Sequence, residues 1–128
     1  MRLLLDTHVL LWWLLADPGL SAAARAALAD RKNAVFVSAV SAWEVAIKAS
    51  LRRLPLPANA EALITQAAID AGFTELPVTF VHAFGVQALP WHHRDPFDRL
   101  LVAQSRREGL ALVTADRAFR SYGIDVLW

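Results

Sequence analysis

The chain has 128 residues, enough for one domain with a substantial core, and residues 1–128 read as one such domain. A net charge of +1 excludes a global basic field, so any nucleic acid must be met by local groups such as Lys48, Arg52 and Arg53 or Arg106 and Arg107. The lack of Cys excludes disulfides and thiolate metal sites, and a hydrophobic content of 56% points to apolar surface that meets another chain.

Arg2–Leu5 is a short run apolar enough to be a strand buried on both faces. A helix is expected over about His8–Leu15, stopped by Asp17-Pro18-Gly19, and a second over Ser21–Ala29 with Ser21 as its N-cap. Met1-Arg2 and the apolar residues after it resemble a signal sequence. Asp6 and His8 interrupt the run, though, and Val9–Ala16 is too short to span a bilayer, so the expected location is cytoplasmic. Ala34–Val37 is the second strand, and a third helix runs from Ser41 to about Leu51. Leu54-Pro55-Leu56-Pro57 is extended, since each proline disfavours helix at the residue before it. Then come a helix over Ala60–Ala71 between Asn59 and Gly72, a strand over Thr74–Val78 and a helix over Phe80–Ala88. Pro96–Glu108 carries the firmest helix signals, with Asp95 as N-cap, Pro96 at the first helical position and Gly109 as the stop. Leu110–Val113 is a strand, Arg117–Ser121 a short helix and Ile124–Leu127 an edge strand. Strands alternating with helices imply an α/β fold, a mostly parallel sheet with helices on both faces.

Four acids fall where such a sheet brings them together. Asp6 ends the first strand, and Asp116 follows the strand before Thr114. Glu44 and Asp98 lie near the starts of two helices, and all four are expected beyond the carboxyl ends of the strands, where ligands bind in open α/β sheets. Two carboxylates about 4 Å apart repel by about 4 kcal/mol at an effective dielectric near 20, so the cluster needs a proton or a cation. A hard divalent ion, Mg²⁺ or Mn²⁺, suits an all-oxygen donor set.

Each acid also has a purely structural reading. Asp6 and Asp116 can serve as cap and turn residues, and Ser41-Ala42-Trp43-Glu44 fits a capping box. Asp98 is expected at the helical position that Glu44 occupies in its own helix, with Asp95 as the cap beside it. Thr7 and Thr114 add hydroxyls at the same level. Lys48 stands four residues after Glu44, the spacing of a helical ion pair. Arg99 is expected to screen one of the acids, His82 to be an ordinary helix position, and His92 and His93 to be loop residues near substrate. Trp12 and Trp43 are expected in the core, and Trp13 on a partner surface.

Five segments, taken in order, carry a family resemblance. They are Leu4–Trp12, Ser38–Lys48, Asp95–Gln104, Leu112–Asp116 and the ending Tyr122–Trp128. Together they resemble the PIN-domain ribonucleases, and specifically the VapC toxins of type II toxin–antitoxin systems. The resemblance implies a three-layer α/β/α sandwich and a metal-dependent endoribonuclease. It also implies a VapB-type antitoxin and a toxin dimer. By motif it carries the acidic site onto Asp6, Glu44, Asp98 and Asp116, with Thr7 and Thr114 as supports.

The mechanism that the resemblance implies for these residues is hydrolysis of an RNA phosphodiester, with the acids holding one or two Mg²⁺ or Mn²⁺ ions. Two other readings stand beside it. One is a phosphoryl-transfer enzyme with Asp6 as nucleophile, although His8 stands where a haloacid-dehalogenase-like phosphatase has its second Asp. The other is a non-catalytic interaction module whose acids merely cap helices.

Overall fold

The computed structural model describes residues 1–128. Five strands form one sheet: β1 (Arg2–Leu5), β2 (Ala34–Ser38), β3 (Thr74–Leu76), β4 (Ala111–Val113) and β5 (Val126–Leu127). Their spatial order is β3-β2-β1-β4-β5, and every neighbouring pair is parallel. Six α-helices connect them: α1 (Thr7–Leu14), α2 (Ala22–Ala29), α3 (Ala39–Ser50), α4 (Ala60–Ala71), α5 (Phe80–Gly85) and α6 (Pro96–Glu108). Short 3-10 turns cover Val86–Ala88 and Arg117–Tyr122.

The sheet grows outward from β1 through β2 to β3, then resumes on the other side of β1 with β4 and β5. Between β1 and β4 the connections leave in opposite directions. The crevice beyond the carboxyl ends of these two strands is therefore the place where the fold admits a ligand.

Alternation along β1 divides the core into two halves. Leu3 and Leu5 pack with Val9, Leu10, Leu28, Val35 and Val113 on the face covered by α1 and α2. Leu4 points the other way and packs with Val40, Leu101, Val102, Leu112 and Phe119 under α3 and α6. All three leucines have no exposed surface, and each such side chain stabilises the fold by about 1.5–3 kcal/mol. This is the three-layer α/β/α arrangement that the alternation of strands and helices implies.

Local signals set most boundaries. Ser21 caps α2, its hydroxyl accepting from the Ala24 N–H at 3.1 Å. The Asp95 carboxylate caps α6, accepting from the Phe97 N–H at 2.8 Å and from the Asp98 N–H at 3.3 Å. Gly109 ends that helix at φ +64°, a conformation that disfavours any side chain.

Helix α3 departs from the expected start at Ser41. It begins at Ala39 and is capped by Ser38, whose hydroxyl accepts from the Val40 N–H at 3.0 Å. Both serines can cap, and packing decides between them. The earlier start buries Val40 and turns Ser41 inward, fully buried. The capping box of Ser41 with Glu44 does not form, and Glu44 lies in the second turn. Asp98, at the third residue of α6, therefore does not share its helical position.

Asn59 stands before α4 but its side chain makes no capping bond, because its backbone is not in the extended conformation of a cap. Trp43 is 53% exposed rather than in the core. It meets the Phe97 ring edge-on, at 4.9 Å between centroids. Trp13 is not free for a partner, since it packs on Phe73 at 5.7 Å. Trp12 packs against the core and on Trp128.

Candidate active site

Asp6 follows β1 directly, and its N–H continues the ladder with β4 by donating to the Val113 carbonyl at 3.1 Å. It occupies the N-cap position of α1, yet its side chain makes no capping bond. Its Oδ2 accepts instead from the Thr114 hydroxyl at 2.7 Å, and the Thr114 Oγ1 in turn accepts from the Asp116 N–H at 3.1 Å. Thr114, itself buried, thus ties the end of β1 to the segment that follows β4. On the other side of Asp6, the Thr7 hydroxyl donates to Ser41 Oγ at 2.9 Å and fixes α1 against α3. The structural roles expected of Asp6 and Glu44 as caps are therefore not what their carboxylates do.

Glu44 is 4% exposed and accepts from the Lys48 ammonium at 2.5 Å, the helical pair that the spacing predicts. That bond is the largest influence holding the Lys48 pKa above its ordinary value. Asp98 projects from the first turn of α6, next to its capping neighbour Asp95. Three segments distant in sequence thus converge at the β1 end.

The electrostatics show which acids face one another. Burial raises the Asp6 carboxyl above 3.8; the Thr114 hydrogen bond and His8 counter this, and the charge of Glu44 adds to it. Burial, and then the charges of Asp95, Asp6 and Glu44, push Asp98 up to about 7. Asp6, Glu44 and Asp98 therefore lie near enough to feel one another's charge, and among them only Glu44 has a cation in contact.

Asp116 stands apart. Burial acts against its charge, but the hydrogen bond from His93 and the Ala118 N–H outweigh it and hold its carboxyl below 3.8. Its Oδ2 accepts from His93 Nε2 at 2.8 Å, and its Oδ1 caps the 3-10 turn through the Ala118 N–H at 2.9 Å. It meets Asp6 across a small open cleft of about 250 Å³ lined also by His8, Trp12 and Ala115. A larger cavity of about 660 Å³ between α3 and α4 is mostly apolar and contains none of the four acids.

The donor set fits a hard divalent cation. Every candidate ligand is a carboxylate oxygen, and burial, with the charge of neighbouring acids, raises the carboxyls of Asp6 and Asp98 above their ordinary value. No three acidic or imidazole groups are already drawn together into a closed ligand cage.

Two residues gain roles that their sequence positions do not disclose. Arg99 screens none of the acids. It is 3% exposed, and its guanidinium donates to the carbonyls of Pro90 (2.9 Å), Val86 (3.2 Å), Leu89 (3.2 Å) and His93 (3.4 Å). His82 is buried: its Nδ1 accepts from the Thr79 N–H at 3.1 Å, which leaves Nε2 to donate to Glu108 at 2.8 Å. Gln104 joins the same network, meeting His82 Nδ1 at 3.4 Å and bonding the Ser38 hydroxyl at 2.5 Å.

A parallel sheet of this order, with buried carboxylates beyond its switch point, defines an α/β protein built around an acid-lined crevice. The chain belongs to the PIN domain family, whose model matches residues 3–125. It is 34% identical over 120 residues to Ribonuclease VapC22 of Mycobacterium tuberculosis, covering 93% of this chain and 90% of that protein. Among solved structures it resembles VapBC2 from Rickettsia felis bound to a DNA fragment from their promoter. The TM-score is 0.71 at 15% identity, over 98% of this chain and 97% of that one. It also resembles FitAcB from Neisseria gonorrhoeae, with a TM-score of 0.63 at 19% identity over 97% and 95% of the two chains. At these identities the two structures speak for the fold.

Proposed function

We propose that the protein is an endoribonuclease dependent on Mg²⁺ or Mn²⁺ and the toxin of a type II toxin–antitoxin pair. The observation that carries the chemistry is the approach of Asp6, Glu44 and Asp98 to one another, with burial and neighbouring charge opposing the ionisation of Asp6 and Asp98. The similarity to a ribonuclease named VapC22 supports RNA as the substrate and a VapB-type antitoxin as the partner.

Asp6 and Asp98 would hold the cation, with Glu44 as a further ligand or as the group that orients water. Asp116 would act from across the cleft, on a second ion or through water. When bound, the ion acidifies a water and offsets charge on the scissile phosphate. Thr114 holds one oxygen of Asp6 and leaves the other free for the crevice. Lys48 holds one oxygen of Glu44. Asp98, its carboxyl raised to about 7 in the crevice by burial and by the charges of Asp95 and Asp6, is the acid that a cation would relieve most. Water adds to phosphorus, one P–O ester bond breaks, and the departing oxygen takes a proton.

The partner half of the reading is supported by exposed apolar surface. Phe80, Val81 and Phe84 are at least half exposed along α5, and Leu63 and Ile69 along α4. These faces suit a second copy of the chain and an antitoxin. No helix is long and apolar enough to cross a membrane, and the reading places the protein in the cytoplasm.

The test is RNA cleavage by purified protein with Mg²⁺, with Mn²⁺ and with EDTA, beside growth after expression with and without the neighbouring gene. Cleavage should need the metal and be lost in Asp6→Asn, and the neighbouring gene should relieve growth arrest. Metal-independent cleavage, or equal growth with wild type and Asp6→Asn at equal protein levels, would overturn the reading.

A further inference from the structure

The segment between α5 and α6 has no regular structure beyond one 3-10 turn, yet it is held at many points. The Arg99 guanidinium gathers the carbonyls of Val86, Leu89, Pro90 and His93, and the Trp91 ring lies over it at 3.8 Å. One of those carbonyls belongs to His93 itself. The imidazole is clamped as firmly: it stacks on Phe119 at 4.3 Å and 27°, with Nδ1 at 2.9 Å from the Tyr122 hydroxyl and Nε2 at 2.8 Å from Asp116. An ionised carboxylate only accepts, so Nε2 carries the hydrogen and Nδ1 accepts from Tyr122. Both ring nitrogens are used within the protein. The ring is therefore placed to hold a neighbour and has no free atom for substrate.

Asp116 needs such a hold. It lies on an exposed turn, its side chain is 46% exposed, and no other side chain bonds its carboxylate. The other acids are fixed by burial and by helices, whereas Asp116 is fixed by a histidine arriving from a different loop.

We propose that His93 is the positioning residue of Asp116, aiming its carboxylate into the cleft shared with Asp6, and that Arg99 fixes the loop that delivers His93. This rests on the reading above, in which Asp116 takes part in cleavage. Outer partners of this kind typically change activity or metal affinity by about 10–100-fold when removed.

The test compares His93→Phe, which keeps the stack on Phe119 and loses both hydrogen bonds, with His93→Gln, which restores a donor. Asp116→Asn and the double variant His93→Phe/Asp116→Asn complete the set, and Tyr122→Phe stands in if His93→Phe does not fold. Each is assayed for kcat and KM on total cellular RNA, for Mn²⁺ affinity by calorimetry and for melting temperature. His93→Phe should lose about 10–100-fold in kcat with KM little changed, and its Mn²⁺ affinity should match that of Asp116→Asn. His93→Gln should recover part of the loss, and the double variant should be no worse than Asp116→Asn alone. Tyr122→Phe, which frees one end of the imidazole, should lose kcat in the same direction but less.

If Asp116→Asn is impaired while His93→Phe, or Tyr122→Phe in its place, equals wild type in both kcat and Mn²⁺ affinity, the positioning role is overturned and the site reading survives. Losses that multiply in the double variant also overturn it. If Asp116→Asn is itself fully active, both ideas fall together.

Discussion

Asp98→Asn should make the metal-free protein more stable while removing its activity. In the folded state the Asp98 carboxyl sits at about 7 against an ordinary 3.8, so at neutral pH folding works against its ionisation. A difference of that size corresponds to about 4 kcal/mol if fully realised. The side chain is only half-buried, and solvent and salt screening leave roughly 1–2 kcal/mol. An amide also gives up negative charge at the N-terminus of α6, worth about 0.5 kcal/mol, so the net gain is about 1 kcal/mol. In EDTA near about pH 8 the variant should melt about 3–5 °C above wild type. The folded state binds the extra proton between about pH 4 and pH 7, so wild-type stability from this group falls as pH rises through that window. The gap between the two proteins should open over the same window and close below it. Millimolar Mg²⁺ should then raise wild type and leave the variant unmoved, since only an intact site binds the ion. A variant that melts below wild type at every pH, or a gap independent of pH, would refute the argument that Asp98 is ionised against its surroundings.

Asp95→Asn should keep the α6 cap, because Asn caps well, and should retain most of the activity that Asp98→Asn loses; side-by-side RNA cleavage checks this, and the reverse order would exchange the two assignments. Thr114→Val should remove the side-chain hydrogen bond to the Asp6 carboxylate, lowering stability by about 1.5–3 kcal/mol in urea melts at neutral pH and weakening Mn²⁺ binding measured by calorimetry. Arg99→Met should cost about 3 kcal/mol or more in urea unfolding, since it strips the carbonyls of Val86, Leu89, Pro90 and His93 of a buried donor; a loss below about 1 kcal/mol would mean that water replaces the guanidinium without difficulty.

The fold was legible where single residues punctuate the chain. Arg2–Leu5 and Pro96–Glu108 have the bounds that their apolar run and their Asp95, Pro96 and Gly109 signals indicate. The start of α3 was not, because Ser38 and Ser41 are equally good caps and only the burial of Val40 chooses between them. The approach of Asp6 and Asp98 follows from the end of β1 and the start of α6, which local sequence fixes, whereas Glu44 arrives from the second turn of α3 and not from its start. The side-chain partner of Asp116 did not follow, since it depends on the path of the 86–93 segment, and that path depends on carbonyls that carry no sequence signal. Arg99 was misassigned for the same reason: charge complementarity pointed to the acids, while its partners are neutral main-chain oxygens.

Helix α4 buries none of its residues completely, although it runs for 12 residues between β2 and β3 in the chain. Beneath it lie two apolar hollows, of about 270 Å³ toward α1 and about 660 Å³ toward α3. Ile64, Ala68 and Ala71 pack on the core only in part, so its opening free energy belongs at the low end of the molecule's range. In amide hydrogen exchange α4 should lose protection well before β1 and α6, and limited proteolysis should first cut around its entry at Leu54–Asn59. The crevice and the sheet can thus stay intact while this helix lifts and returns, which makes it the part of the chain able to change shape without disturbing the carboxylates.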